Sequence, residues 1–202
     1  MLGQPIYDRQ AERRSATTLE ILDAAWLVTR DKGLADLTLS DVGARVGMRA
    51  PSLYSYFSSK NAIYDAMFGQ AWSEYLAVVE AMTLPRSPRA GLKRIARTFF
   101  DFAVADLARH QLMNQRTIPG FVPTQGAYAP AVAALQKAQA CLAGYGITSP
   151  AHGDLYTAII GGLIDAQQAN DPGGDRWARL LDPAVDMYAD YVGLPGRGRR
   201  ST

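Results

Sequence analysis

A single cysteine, Cys141, in a chain of 202 residues leaves no internal disulfide and no thiolate cluster to hold a metal. That fits a reducing compartment and a thiol used to fill space. Histidine is as scarce: His110 and His152 stand far apart, with no Cys or acidic partner at ligand spacing, so no metal and no cofactor is expected. No apolar run approaches the roughly 20 residues of a membrane span. The opening MLGQPIYDRQAERR carries charges without the apolar segment of a secretion signal. The expected location is the cytoplasm, with no membrane contact. Net charge is only +2, far from the basic excess of a general nucleic-acid binder, so any DNA contact has to come from local placement. Also missing are a Gly-x-Ser-x-Gly elbow, a phosphate-cradling glycine loop and two histidines one helical turn apart, and an enzyme is therefore not expected.

Strand-type alternation is absent as well, whereas apolar residues recur at helical spacing along the whole chain. The expected fold is all-α. Residues 1–14 show no period and are read as a mobile arm whose Arg9, Arg13 and Arg14 could reach a DNA backbone, with a plain solvated tail slightly favoured because Asp8 and Glu12 partly cancel the charge. A first helix is predicted from about Thr17 to Lys32. Thr17 and Glu20 stand at capping-box spacing, Gly33 ends the helix, and the stripe is Ile21, Leu22, Ala25, Trp26, Val28 and Thr29.

The most informative stretch is TLSDVGARVGMRAPSLYSYFSSK, Thr38 to Lys60. Thr38 with Asp41 three residues on has the Ser/Thr-x-x-acid spacing that satisfies free N–H groups at a helix start. Leu39, Val42 and Val46 share one face of the short helix that follows. Gly47 provides a positive φ to end it, and Pro51 opens a second helix where a missing N–H costs nothing. Leu53 and Phe57, one turn apart, point inward with Met48. Arg49, Ala50, Ser52 and Ser55 are left outward with Tyr54 and Tyr56 beside them, a set suited to base edges and phosphates. Together with the preceding helix this makes a three-helix unit built around a helix-turn-helix.

Further on, Ser58 or Ser59 caps a long helix from about Lys60 to Met82, apolar on two faces and so contacted from two sides. Such a helix can connect a reading head to a larger body as a lever. Pro85 and Pro88 break the chain before a helix from about Arg89 to Ala108, with a short turn over Leu112 to Arg116. A loop is expected from Ile118 to Pro130, then a helix through Val132, Leu135, Leu142 and Tyr145 that ends at Gly146. Two more are expected, at about Pro150 to Ala169 and Asp175 to Val192, ahead of a disordered basic tail. The domains are accordingly 1–62 for the head and its arm, 63–194 for a helical regulatory and dimerisation body, and 195–202 for the tail.

The order ILDAAWLVTRDKG, TLSDVGARVGM, LYSYFSSKNAI resembles the amino-terminal region of the TetR family of bacterial transcription regulators, over about Thr17 to Ile63. Its most specific piece is Leu53-Tyr54-Ser55-Tyr56-Phe57 followed by Lys60. The resemblance implies an all-α homodimer with paired reading heads on a ligand-binding body, in most cases a repressor that a small molecule releases from its operator. It implies phosphate contacts at Tyr54, Tyr56 and Lys60 and base contacts at Arg49, Ala50, Ser52 and Ser55. With Thr38 and Pro51 at the two helix starts, these make up the expected DNA-binding set. Departures are Thr29 in place of an aromatic, Gly43 and Val46 in place of alanines, and Arg49 in place of a small hydroxyl residue. Gly43 should soften the head by about 1 kcal/mol relative to Ala, and Val46 is placed to recover volume.

One recognition helix reads only a few base pairs, so specificity calls for two half-sites and a two-fold protein. The family pairs through its last two helices. Here Gly161 and Gly162 permit close backbone approach, and Trp177, Leu181 and Tyr188 offer apolar anchors, with the protomer's own core as the other use for all five. For an effector held between helices, the expected lining aromatics are Trp72, Phe99, Phe102, Tyr128 and Tyr156. The polar and adaptable groups are His110, Met113, Arg116 and Gln167, and ordinary packing is again the competing use. The expected partners are thus a double-stranded DNA operator, a small-molecule effector and a second copy of the chain. The rival function is a helical adaptor that binds protein and no specific DNA.

Overall fold

The computed structural model describes residues 9–196, all nine of whose longer elements are α-helices. Residues 1–8 of the expected arm and 197–202 of the expected tail lie outside the described residues. Helix α1, Arg9–Lys32, begins eight residues earlier than the sequence suggests. Gln10 to Arg14 are good helix formers, and Arg14 is held by its guanidinium donating to the Ser55 carbonyl and lying 5.0 Å from the Tyr56 ring centroid. Arg9, Arg13 and Arg14 are therefore helical and exposed, not part of an irregular arm. The Thr17/Glu20 cap is not used, because both residues lie inside α1.

Helices α2, Leu39–Arg45, and α3, Ala50–Leu53, pack with α1 and the first half of α4, Lys60–Ala81. Their common core contains Ile21, Val28, Leu37, Val42, Leu53, Ile63 and Met67. Leu112 and Met113 join it from α6, Leu107–Asn114, so the head rests on the body through that helix. A second core is built by α5, Pro88–Val104, the end of α7, Gln125–Gly144, then α8, Pro150–Asn170, and α9, Leu181–Tyr191. Arg89 and Lys93 on α5 clamp α9. Arg89 reaches the Leu194 carbonyl at 2.9 Å, and Lys93 reaches Asp186 at 2.6 Å.

Several boundaries differ from expectation. The helix expected to run to Ala108 stops at Val104, and Asp106 starts α6 by accepting the Arg109 N–H at 3.1 Å. Helix α7 starts at Gln125, inside the expected loop, with Pro130 in its second turn. Its start is fixed by Thr124, whose hydroxyl accepts the Ala127 N–H while Asp65 of α4 accepts both the Thr124 N–H at 2.6 Å and its O–H at 2.8 Å. Gly69 lets α7 close on α4: a Cβ there would stand 3.3 Å from the Ala127 Cα. The last helix starts at Leu181 after a single 3-10 turn over Ala178–Leu180.

Candidate nucleic-acid interface

The cap at the start of α2 forms as the sequence predicts. The Thr38 hydroxyl oxygen accepts the Asp41 N–H at 3.1 Å and its proton goes to the Asp41 carboxylate at 2.6 Å. That carboxylate also takes a 2.7 Å bond from Lys32, and these two hydrogen bonds hold its pKa below the ordinary aspartate value. Gly47 has φ of +66°, and the turn folds so tightly that the Met48 N–H donates to the Gly43 carbonyl at 2.8 Å. A Cβ on Gly43 would stand 2.6 Å from the Met48 oxygen. The glycine is thus what allows α3 to approach α2, and the space expected to be empty there is filled by backbone. Val46 packs at the edge of the same core.

Helix α3 is one turn long, and Arg49 at its N-cap makes no side-chain cap. The chain nevertheless stays coiled to Phe57: Tyr54 bonds back to Pro51 at 3.3 Å, and Tyr56 and Phe57 both bond to the Leu53 carbonyl at 2.9 Å. Leu53 and Phe57 are buried and Met48 is half-buried, as the one-turn spacing requires. Arg49, Pro51, Ser52, Tyr54 and Ser55 are exposed, Ala50 and Tyr56 partly so. The Arg49 guanidinium makes no hydrogen bond or ion pair to another described residue, whereas the Ser55 hydroxyl is already donated to the Ser52 carbonyl at 2.7 Å. Lys60 is turned to the loop after α1: its Nζ donates to the Ala35 carbonyl at 2.9 Å and lies 5.5 Å from the Tyr64 ring. Sequence reasoning had no signal for this, because the partner is a backbone oxygen 25 residues away.

The body encloses a cavity of about 460 Å³ between α4, α5, α7 and α8. Three of the nine expected lining residues, Trp72, Phe99 and Tyr156, do line it. Phe102 instead packs on Tyr75 and beneath Arg109, at 5.1 and 3.8 Å. His110 is buried against Asp165 at 3.2 Å, Met113 belongs to the head's core, and Arg116 is exposed on the loop after α6. Tyr128 stacks on Phe68 outside the cavity. The Gln167 amide oxygen accepts the N–H groups of Trp177 and Ala178 at 2.9 and 3.2 Å, which fixes the turn into α9. Residues that the reading missed are Tyr75, Ile95, Asn114, Gln139, Asp154 and Thr157. Tyr75 and Ile95 stand one helical turn from Trp72 and Phe99, and that spacing was the available signal.

On α8, no atom of another described element lies within 4 Å of where Gly161 or Gly162 would carry a Cβ. Trp177 is half-buried. Leu181 and Tyr188, expected as anchors for a second copy, are 0% and 2% exposed and lie inside the protomer's own core. Met187 and Tyr191, at 73% and 69% exposure, are the large apolar side chains that α9 turns outward.

Residues 21–67 match the pattern of bacterial regulatory proteins of the tetR family. The fold agrees over nearly the whole chain: the TetR family transcriptional regulator PfmR from Thermus thermophilus superposes with a TM-score of 0.63 at 18% identity, covering 89% of this chain and 99% of its own. The family match is confined to the head, while the likeness of fold extends over the body as well. A relative, an uncharacterized HTH-type transcriptional regulator of Mycobacterium tuberculosis, is 39% identical over 56 residues, which make up 28% of this chain and 26% of that protein. The chain thus spans about a quarter of the length of the curated relatives it matches. The transcriptional regulator FadR of Bacillus subtilis, solved in complex with stearoyl-CoA, shares the fold at a TM-score of 0.65 and 15% identity, over 84% of this chain and 96% of its own. The region that matches the family takes in the first turns of α4, which run directly into the cavity wall at Trp72 and Tyr75.

Proposed function

We propose that the chain is a homodimeric transcription regulator that binds a double-stranded DNA operator and is released from it, as a repressor, when a small molecule fills the body cavity. The observation that carries this reading is the outward face of α3. There the Arg49 side chain makes no hydrogen bond or ion pair to another described residue, Ser52 and Tyr54 are exposed, and no acidic side chain stands among them, on an element packed closely against α2 at Gly43. Arg49 and Ser52 read base edges, while Tyr54 and Tyr56 position the head on phosphates. Lys60 steadies the head through Ala35 and adds charge beside the backbone. A second copy on the face of Gly161, Gly162 and Met187 supplies the other half-site.

Release follows from geometry. Helix α4 belongs to the head's core at one end and to the cavity wall at the other, so a ligand that favours a different tilt of α4 alters the separation of the two heads. Both then no longer enter grooves one helical turn of DNA apart. The stearoyl-CoA held by FadR supports assigning a ligand to the body. The experiment is selection of bound fragments from a random DNA pool, followed by titration of the selected fragment with salt. A two-fold-symmetric sequence should emerge, and its affinity should fall steeply as salt rises because phosphate contacts release counterions. Failure to enrich any sequence overturns the reading in favour of a protein-binding adaptor.

A further inference from the structure

The body cavity has one formally charged group in its wall, the carboxylate of Asp154, and no lysine, arginine or histidine. We infer that its effector is a lipophilic amine, with an aromatic body lodged against Trp72, Tyr75 and Phe99 and a protonated nitrogen at Asp154. This rests on reading the cavity as the effector site and adds the chemical class.

The lining combines aromatic faces with a few polar groups. Trp72, Tyr75 and Phe99 form a connected aromatic wall, with ring centroids 5.9 Å apart for the first pair and 5.3 Å for the second. Such faces attract apolar rings and tolerate cations. Neither cavity tyrosine supplies a charge. Burial pushes the Tyr75 and Tyr156 phenols above their ordinary pKa, and the Tyr156 hydroxyl is spent on the Leu92 carbonyl. The lining also includes Ser149, Thr157 and Asp154. Asp154 is exposed, and its carboxylate makes no hydrogen bond or ion pair to another described residue, so its charge is not already answered.

An anionic ligand meets the reverse situation. Its charge would leave water for a site with no cation in the wall and with a carboxylate in the lining, a combination that disfavours binding twice. Basic side chains of the adjoining helices are absent from the lining, and two of them have partners of their own. His152 of α8 faces the Tyr191 ring at 5.9 Å, and Lys137 of α7 pairs with Glu80 at 3.3 Å. The volume suits a two-ring molecule and is at the small end for ligand pockets.

The test uses three probes that share one apolar body: biphenylmethylamine, biphenylmethanol and biphenylcarboxylate. Each is titrated calorimetrically into the full chain at neutral pH without DNA. The expected order is amine, then alcohol, then carboxylate. The amine should lead the alcohol by about threefold to tenfold, the range of a charge-assisted contact at a partly solvated site. Asp154→Asn should erase that lead and leave the alcohol's affinity unchanged, while Ala138→Phe should weaken all three by filling the cavity. Carboxylate binding as tight as that of the amine, an amine preference that survives Asp154→Asn, or no amine binding at all would each overturn the inference. The readout involves no DNA, so failure here leaves the operator reading standing. Success without an operator would keep the ligand class and remove the regulator.

Discussion

Gly43 has the opposite effect from what helix propensity suggests. By propensity alone an alanine would firm up α2, yet its methyl carbon would stand 2.6 Å from the Met48 carbonyl oxygen, an atom of the backbone that cannot swing aside. We expect Gly43→Ala to lower unfolding stability by about 1–3 kcal/mol, the usual cost of overpacking, measured as a shift of the urea midpoint with unchanged slope. A rise in stability would show that the turn can relax and that propensity wins. A second expectation concerns Arg49, at the N-cap of α3. Arg49→Ala should cost about 1–3 kcal/mol at one base-pair position of the selected operator and little elsewhere, whereas Tyr54→Phe should weaken every sequence alike. A panel of single-base operator variants separates the two, and a uniform loss from Arg49→Ala would move it to the phosphate-contacting group. The Thr38 cap was legible because its partner is three residues away. The engagement of Lys60 was not, since a local pattern cannot say which loop carbonyl comes within its reach.

The break between α5 and α6 was hidden for a related reason. The apolar stripe through Leu92, Phe99, Ala103 and Leu107 runs on without glycine or proline, and only Asp106 interrupts it. In the structure Asp106 caps α6 and also binds Arg30 of α1 at 2.7 Å, so it joins head to body and starts a helix with one carboxylate. Asp106→Ala should therefore cost about 1 kcal/mol or more, since it removes the cap together with the ion pair, while Arg30→Ala leaves the cap, removes only the pair to a carboxylate that is 9% exposed, and should cost less. Equal losses in denaturant titrations of the two variants would show that the ion pair, not the cap, carries the effect. Helix α4 has its own tie to the loop after α1, where the Tyr64 hydroxyl donates to the Leu34 carbonyl. Burial raises the Tyr64 pKa from 10.0 to about 12. A group whose folded value is raised stabilises fully below its unfolded value, and the contribution fades as pH climbs through the folded one. The head should thus lose stability between pH 10 and about 12, and Tyr64→Phe should remove that part of the dependence. An unchanged alkaline profile in the variant would assign the loss to other tyrosines.

At the scale of the molecule the helical periods are enough to give the all-α architecture, but not which face of a helix the protomer keeps for itself. Helix α9 has large apolar groups all round it: Leu181 and Tyr188 went inward, Met187 and Tyr191 outward. The sequence alone cannot order these faces, because each has helical spacing and the choice depends on where α5 and α8 arrive. The outward face, together with the open surface at Gly161 and Gly162, is where the proposed second copy would sit. A stable dimer needs about 800 Å² from each partner, and a ridge of exposed side chains beside a bare backbone can supply it only if the backbones come close. Gly162→Arg fills the bare strip with a long charged side chain, and Met187→Glu places an uncompensated charge in the apolar ridge. Either variant should run as a monomer in sizing chromatography at micromolar concentration, keep the helical content of the parent, and lose operator binding with its head untouched. A monomer that still binds the full operator would separate dimerisation from DNA reading. A Gly162→Arg protein that remains dimeric would put the interface on another face of the body and with it change the predicted distance between the heads.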